Sequence, residues 1–246
     1  MKKTTIGGNP LFRGFLCTAL LLIGGGLLMA ANPPTDFQYD LNEAGDGVVI
    51  KKYLGTATAV VIPGTIEAYP VTEIGEKAFS TYALTFSSSI VSVVIPDSVT
   101  RIGDGAFSGQ TDLKQVTLPR NLKVIGDEVF SNCYRQLARI VIPEGVTSIG
   151  AGAFSNTALT ALTIPGSVTS IGARAFYLCE ALTTLTIPGS VTSIGDNAFS
   201  RCSALTTVNI TVRPVEFPKN SAFSGCTRLS LASRKKIQDC GYTGSF

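Results

Sequence analysis

Four of the six cysteines, Cys133, Cys179, Cys202 and Cys226, each fall three residues after a phenylalanine, so thiol chemistry is the first to weigh: nucleophilic attack, disulfide formation or zinc ligation. The chain has no histidine, which removes Ser-His and Cys-His pairs, imidazole acid–base work and histidine metal sites together. One thiol per interval makes a row, whereas zinc needs a tetrahedron. Neighbours one interval apart sit near the lower limit of a bridgeable Cα separation. Gln110 and Thr157 hold the same slot elsewhere. A slot that accepts Cys, Gln or Thr is a buried corner bonding to turn backbone, so packed free thiols are the leading expectation and a disulfide the alternative.

Carboxylates are the other candidates, since a pair of them suffices for glycoside cleavage. Asp104, Asp127 and Asp196, however, recur in one slot after Ile-Gly, where a short acidic side chain serves a turn. The glycines after each Ile (Gly103, Gly126, Gly150, Gly172, Gly195) are expected to answer a need for positive φ or close approach. No lysine-threonine pair or helix pattern follows them in the manner of a phosphate loop. No catalytic constellation survives, and the chain reads as a non-enzyme without cofactor or metal.

The elements that hold these slots repeat. Prolines at 96, 119, 143, 165 and 188 and phenylalanines at 107, 130, 154, 176 and 199 step by 22 to 24 residues. A constant step of this size marks coils of a solenoid that cannot bury their apolar sides alone. Leu113–Pro119, Leu137–Pro143, Leu159–Pro165 and Leu182–Pro188 alternate apolar with polar residues, are rich in β-branched side chains and end in proline, which predicts short strands. In one coil Leu182, Leu185, Ile187, Val191, Ile194, Ala198 and Phe199 point inward.

Both ends differ from the middle. Phe37, Tyr39 and Leu41, then Asn42–Gly47, then Val48–Ile50 predict a hairpin cap within residues 32–55. Residues 56–231 hold about seven coils, and 232–246 form a C-terminal cap with a short helix from Ala232 to Cys240. Coil one carries insertions around Glu67–Pro70 and Tyr82–Ser88, and insertions on a solenoid emerge as loops.

Residues 1–31 combine Lys2, Lys3 and Arg13 with an apolar run from Phe15 to Ala31 that ends in small residues. This predicts a secretory signal cleaved after Ala30 or Ala31, with an uncleaved anchor as the alternative. Three of the 20 basic residues and none of the 17 acidic ones lie there, leaving 17 against 17 in the exported chain. A neutral exported chain is no partner for nucleic acid, and it holds no membrane span. Arg234, Lys235 and Lys236 read as a solvated helix face.

The unit running from Leu182 to Cys202, with Leu, Ile-Pro, Val, Ile-Gly, Ala-Phe and Cys in register, resembles the BspA-like bacterial leucine-rich repeats. The likeness covers roughly residues 56–231 and departs from the pattern in coil one, at Gln110 and Thr157, and over 211–218. It implies a mostly-β leucine-rich-repeat solenoid with short parallel strands on the concave face and turns, short helices and short strands on the convex side. It further implies a secreted or cell-surface protein that adheres to host matrix proteins or other cells without catalysis.

Strand residues that do not point inward form the candidate partner surface: Ser92 and Val94, Gln115 and Thr117, Arg139 and Val141, Ala161 and Thr163, Thr184 and Thr186, Thr207 and Asn209. Aromatic anchors are expected on the insertions at Tyr69, Tyr82 and Phe86, and beside the cysteine corners at Tyr134 and Tyr177. The function expected is binding of an extracellular protein or glycan by a monomer. The alternative is a passive or ice-facing solenoid, suggested by Thr184 and Thr186.

Overall fold

The computed structural model describes residues 30–82, 89–211 and 213–246. Nearly all of the expected export signal, and Phe86, lie outside them. In chain order the strands are β1 (Phe37–Leu41), β2 (Val48–Tyr53), β3 (Ala59–Val61), β4 (Thr65–Ile66), β5 (Tyr69–Ile74), β6 (Ser92–Val94), β7 (Arg101–Ile102) and β8 (Gln115–Thr117). They continue as β9 (Val124–Ile125), β10 (Ser148–Ile149), β11 (Ala161–Thr163), β12 (Ser170–Ile171), β13 (Thr184–Ile187), β14 (Ser193–Ile194) and β15 (Thr207–Ile210), and helix α1 (Leu231–Asp239) follows. A 3-10 turn at Pro34–Asp36 precedes β1.

The chain winds about seven times, and successive windings add rows to three columns. In the first column the Leu-x-x-Leu-x-Ile-Pro segments give parallel strands in two sets, β3-β6-β8 and β11-β13-β15. In the second, the Ile-Gly segments form a sheet ordered β1-β2-β5-β7-β9-β10-β12-β14, in which Ile74, Ile102, Ile125, Ile149, Ile171 and Ile194 lie side by side. The third column is the phenylalanine turn. There Phe107 N–H donates to Val129 O at 2.9 Å, Phe130 to Ala153 at 2.8 Å and Phe154 to Ala175 at 2.7 Å, so every turn is bonded to the next.

Inside these columns the rings of Phe79, Phe107, Phe130, Phe154, Phe176, Phe199 and Phe223 make one continuous file with centroids 4.8–5.5 Å apart and planes within 20°. An offset aromatic pair adds about 0.5–1.5 kcal/mol beyond the area it buries. Tyr53 stacks on the first ring at 5.4 Å, while Tyr242 closes the last edge-on at 5.6 Å and 85°.

The caps satisfy the open strand edges. Asn32 brackets Val61 of β3, its N–H donating to Val61 O and its Oδ1 accepting from Val61 N–H, both at 2.8 Å. At the other end, Ser233 of α1 accepts from Val208 N–H of β15 at 3.0 Å and donates to Thr206 O at 3.3 Å. Ser230 caps the helix, accepting from Ser233 N–H, and Gly241 ends it at φ +105°.

Two local expectations change. The glycine after each Ile has no positive φ; it is there for close approach. A Cβ on Gly103, Gly126, Gly150, Gly172 or Gly195 would lie 2.5–2.9 Å from backbone atoms of the preceding coil. From Phe107 to Phe199 the left-handed positions are instead two residues before and two after each ring, and they include Glu128, Arg174, Leu178 and Arg201 at φ +54° to +60°. Left-handed geometry costs an ordinary residue about 1–2 kcal/mol. It is offset here by ladder bonds, such as Arg174 N–H to Asp196 O at 2.8 Å and Leu178 N–H to Ser200 O at 3.1 Å.

The second change concerns coil four. Residues 138–142, read as a strand from the sequence, do not join the ladder and split the first column in two. Ile62, Ile95 and Ile164 donate their N–H groups to Val94, Thr117 and Thr186 of the following coil, each at 3.0 Å. Their counterpart Ile142 makes no such bond. The approach to the segment also differs in length: seven steps separate Phe130 from Leu137, where six separate Phe107 from Leu113 and Phe176 from Leu182, and five separate Phe154 from Leu159. A tight Ala138 N–H to Gln136 O contact of 2.7 Å lies at the entrance to the segment.

Candidate functional site

The first strand column presents two rows of outward side chains set by its register. Ser92 pairs with Gln115 and Val94 with Thr117; beyond coil four, Ala161, Thr184 and Thr207 are aligned, as are Thr163, Thr186 and Asn209. Between them Val93, Val116, Leu162, Leu185 and Val208 face the interior, so strand alternation separates surface from core. The structure thus brings together Gln115 with Thr117 on one side and Thr163, Thr184, Thr186, Thr207 and Asn209 on the other. Arg139 lies between the two groups, in the segment that has left the ladder, and is exposed.

Threonines in this protein do two jobs. Thr160, Thr183 and Thr206, just ahead of the strands, donate their hydroxyls to backbone carbonyls one coil back: Ala138 at 3.3 Å, Thr160 at 3.0 Å and Thr183 at 3.2 Å. Thr169 and Thr192 do the same ahead of the second column, each at 3.3 Å. These are staples. Thr163, Thr184 and Thr186, by contrast, engage no group among the described residues with their hydroxyls, nor do Gln115 and Asn209 with their amides. The sequence did not distinguish the two kinds, although the staples always precede the alternating segment.

The aromatic candidates do not join this surface as one patch. Tyr69 opens β5 in a hairpin with β4 whose two-residue turn, Glu67-Ala68, has positive φ at both positions. Tyr39 OH anchors that turn to Glu67 Oε1 at 3.0 Å. The hairpin leaves coil one between the first and second columns, whereas Tyr82 follows the phenylalanine turn and emerges at a different corner. Tyr82 is 63% exposed, with its ring edge over Gly109. Tyr134 is exposed beside Arg135, and Tyr177 lies 5.9 Å from the Arg201 guanidinium.

The thiols are fully buried, free corners. Cys133, Cys179, Cys202 and Cys226 direct Sγ to the carbonyls of Phe107, Phe154, Phe176 and Phe199 at 3.1–3.4 Å. Gln110 serves the same slot by donating to Phe79 O at 2.7 Å, and Thr157 by bonding its own coil's Phe154 O. Burial pushes Cys133 up to about 12 and Cys179 to about 11 from 9.0. The hydrogen bond with Cys226, and then burial, raises Cys202. The fold therefore favours the protonated form of Cys133, Cys179 and Cys202. Their contribution is fully present below pH 9 and is lost as pH climbs through about 12. Iodoacetamide at pH 8 is expected to leave these four cysteines unlabelled in the native protein and to label all four in guanidinium; native labelling would mean the corners open.

The aspartate slot is also structural, and it acts between coils. Asp104 Oδ1 accepts from Asp127 N–H at 3.0 Å, and Asp127 Oδ1 from Ala151 N–H at 2.7 Å. Asp196 instead meets Lys219 Nζ at 2.9 Å, because coil seven departs from the repeat there.

Residues 72–158 and 125–242 match the BspA type leucine rich repeat region, in six copies. Among solved structures, the chain is similar to a T. pallidum leucine rich repeat protein (TpLRR), with 35% identity and a TM-score of 0.80 over 88% of this chain and 98% of that one. A leucine-rich repeat protein from Bacteroides ovatus shares the fold at 24% identity and a TM-score of 0.59, over 76% of this chain and 58% of its own. No curated protein matches. Stacked phenylalanines, Ile-Gly rungs and proline-terminated strands recur from coil to coil here, and with a family match over most of its length the chain belongs to the BspA type leucine-rich repeat family.

Proposed function

We propose that this is an exported surface protein that binds an extracellular protein or glycan through the outward rows of the first strand column and performs no catalysis. What carries the reading is the set of unengaged hydroxyls and amides on Thr163, Thr184, Thr186, Gln115 and Asn209, held in register on an ordered ladder. Polar groups fixed by a scaffold lose little freedom when a partner takes them up. Export is supported by the charge and apolar pattern of residues 1–31. Among the described residues no helix is long and apolar enough to cross a membrane. A passive or ice-facing role is less well served, since the interruption at coil four breaks the row such a role requires.

The test uses the chain from Ala30 onward, which contains every described element, immobilised against purified matrix proteins and glycans. A captured partner is expected to bind about tenfold or more weakly to the Thr184→Arg/Thr186→Arg double variant at unchanged melting temperature. Capture of nothing, or equal capture by the variant, overturns the reading. Tyr82→Ala with Phe86→Ala tests the second insertion as a separate surface. Size exclusion is expected to give a monomer.

A further inference from the structure

We propose that coil four is the specificity-bearing point of this surface and receives an extended protein segment in which an apolar side chain is flanked by carboxylates. The inference builds on the strand-surface reading above and names its partner's chemistry. In the segment 138–142, which has left the ladder, Val141 is 83% exposed, so a large aliphatic knob stands on a face whose outward residues are mainly hydroxyl- and amide-bearing. Val94, in the same row two coils earlier, is half-buried. An isolated exposed valine needs no explanation, but this one has company.

Arg139, two residues before it, and Lys114, at the start of the same column one coil back, are exposed and pair with no carboxylate among the described residues. Arg135 meets Asp112 at 3.6 Å and lies 5.9 Å from the ring of exposed Tyr134. Three cations thus answer to one carboxylate at this edge. Glu144 stands past Pro143, at the other end of the segment. Among the described residues, the outward rows carry no charge from Ser92 to Thr117 or from Ala161 to Asn209, so the electrostatic preference of this surface is set here, and it is for anions. A sulfated glycan would match the cations and leave Val141 against water. A protein segment with an apolar residue between carboxylates satisfies both, and tyrosine and arginine are the side chains that most often anchor such contacts.

The experiment measures fluorescence anisotropy of a fluorescein-labelled peptide of three Glu-Val-Glu-Thr repeats titrated with the chain from Ala30 onward, at about 50 and 300 mM salt. Saturable binding that weakens with salt is expected. It should fall about tenfold or more when lysine replaces glutamate or serine replaces valine in the peptide, and likewise in Arg139→Glu and in Val141→Ser. Both positions are exposed, and circular dichroism should show unchanged folding. Absence of saturable binding, or indifference to either substitution, overturns the proposal, as does heparin binding that outcompetes the peptide and ignores Val141→Ser. A matrix partner that is lost on Thr184→Arg/Thr186→Arg yet ignores Arg139→Glu and Val141→Ser overturns this inference and leaves the broader reading standing. Peptide binding that needs Arg139 and Val141, in a protein that captures no matrix partner, supports coil four and removes the broader reading.

Discussion

Phe154→Ala is expected to lower the melting temperature by about 6–20 °C and to split a single melt into two. Removing a buried phenylalanine costs about 3–5 kcal/mol, and 1 kcal/mol is worth about 2–4 °C in a chain of this size. Phe154 is fully buried and stacks between Phe130 at 5.4 Å and Phe176 at 5.3 Å, so the substitution removes two ring contacts together with the side chain's own burial. Neighbouring turns cannot slide in to fill the space, because Phe154 N–H is tied to Ala175 O and Phe130 N–H to Ala153 O. In a solenoid each coil touches only its neighbours, so a weakened middle interface uncouples the two ends. Coil four is also where the first strand column is interrupted, so the second column, the phenylalanine turns and the ring file carry most of the connection between the halves. Phe223→Ala, next to the cap, should cost stability yet keep one transition. Differential scanning calorimetry decides the matter. A single sharp melt for Phe154→Ala, shifted by less than 3 °C, would show that the ring file contributes little.

The same partition between middle and ends explains what could be read without coordinates. Ile-Gly, Ala-Phe and the proline that ends each strand recur in register, and those positions became rungs, ring file and turns as the period required. The strand at 138–142 was misread because its residue types, Ala-Arg-Ile-Val-Ile, are good strand formers. Whether such residues pair depends on how their coil lies against its neighbours, which no local propensity reports. The left-handed turn positions were missed for a different reason. Glycine and asparagine occupy several of them, Gly105, Gly109, Asn132 and Asn156 among others, but Glu128, Arg174 and Leu178 hide the pattern until all coils are aligned on the phenylalanine. For the candidate surface, alternation gave the outward residues correctly. It gave no means of telling the stapling Thr183 from the free Thr184, since the difference is which backbone carbonyl lies one coil back. Tyr69 and Tyr82 were legible as exposed aromatics, whereas their separation onto different corners followed from where each insertion leaves the coil.

Gly172→Ala should destabilise the protein by about 3 kcal/mol, and Gly166→Ala, six residues away on the same coil, should stabilise it by about 0.4–1 kcal/mol. Overpacking commonly costs about 1–3 kcal/mol, and the upper end applies where the obstructing atoms are backbone. A Cβ on Gly172 would lie 2.6 Å from Ala151 N and from Gly150 C, both in the preceding coil. Relief requires separating the coils, yet Gly172 N–H donates to Ile149 O at 2.8 Å and Ile171 pairs with Ile149 beside it. Gly166 follows the strand-ending Pro165 and has no atom within 4 Å of the corresponding position. Alanine there stiffens the unfolded chain without meeting anything in the folded one. Glycine count and local composition are identical for the two variants, so chemical denaturation of the pair separates inter-coil contact from loss of backbone freedom. Equal midpoints would mean that neighbouring coils have room for a methyl group, and the tight stacking that gives the outward rows their fixed register would have to be abandoned.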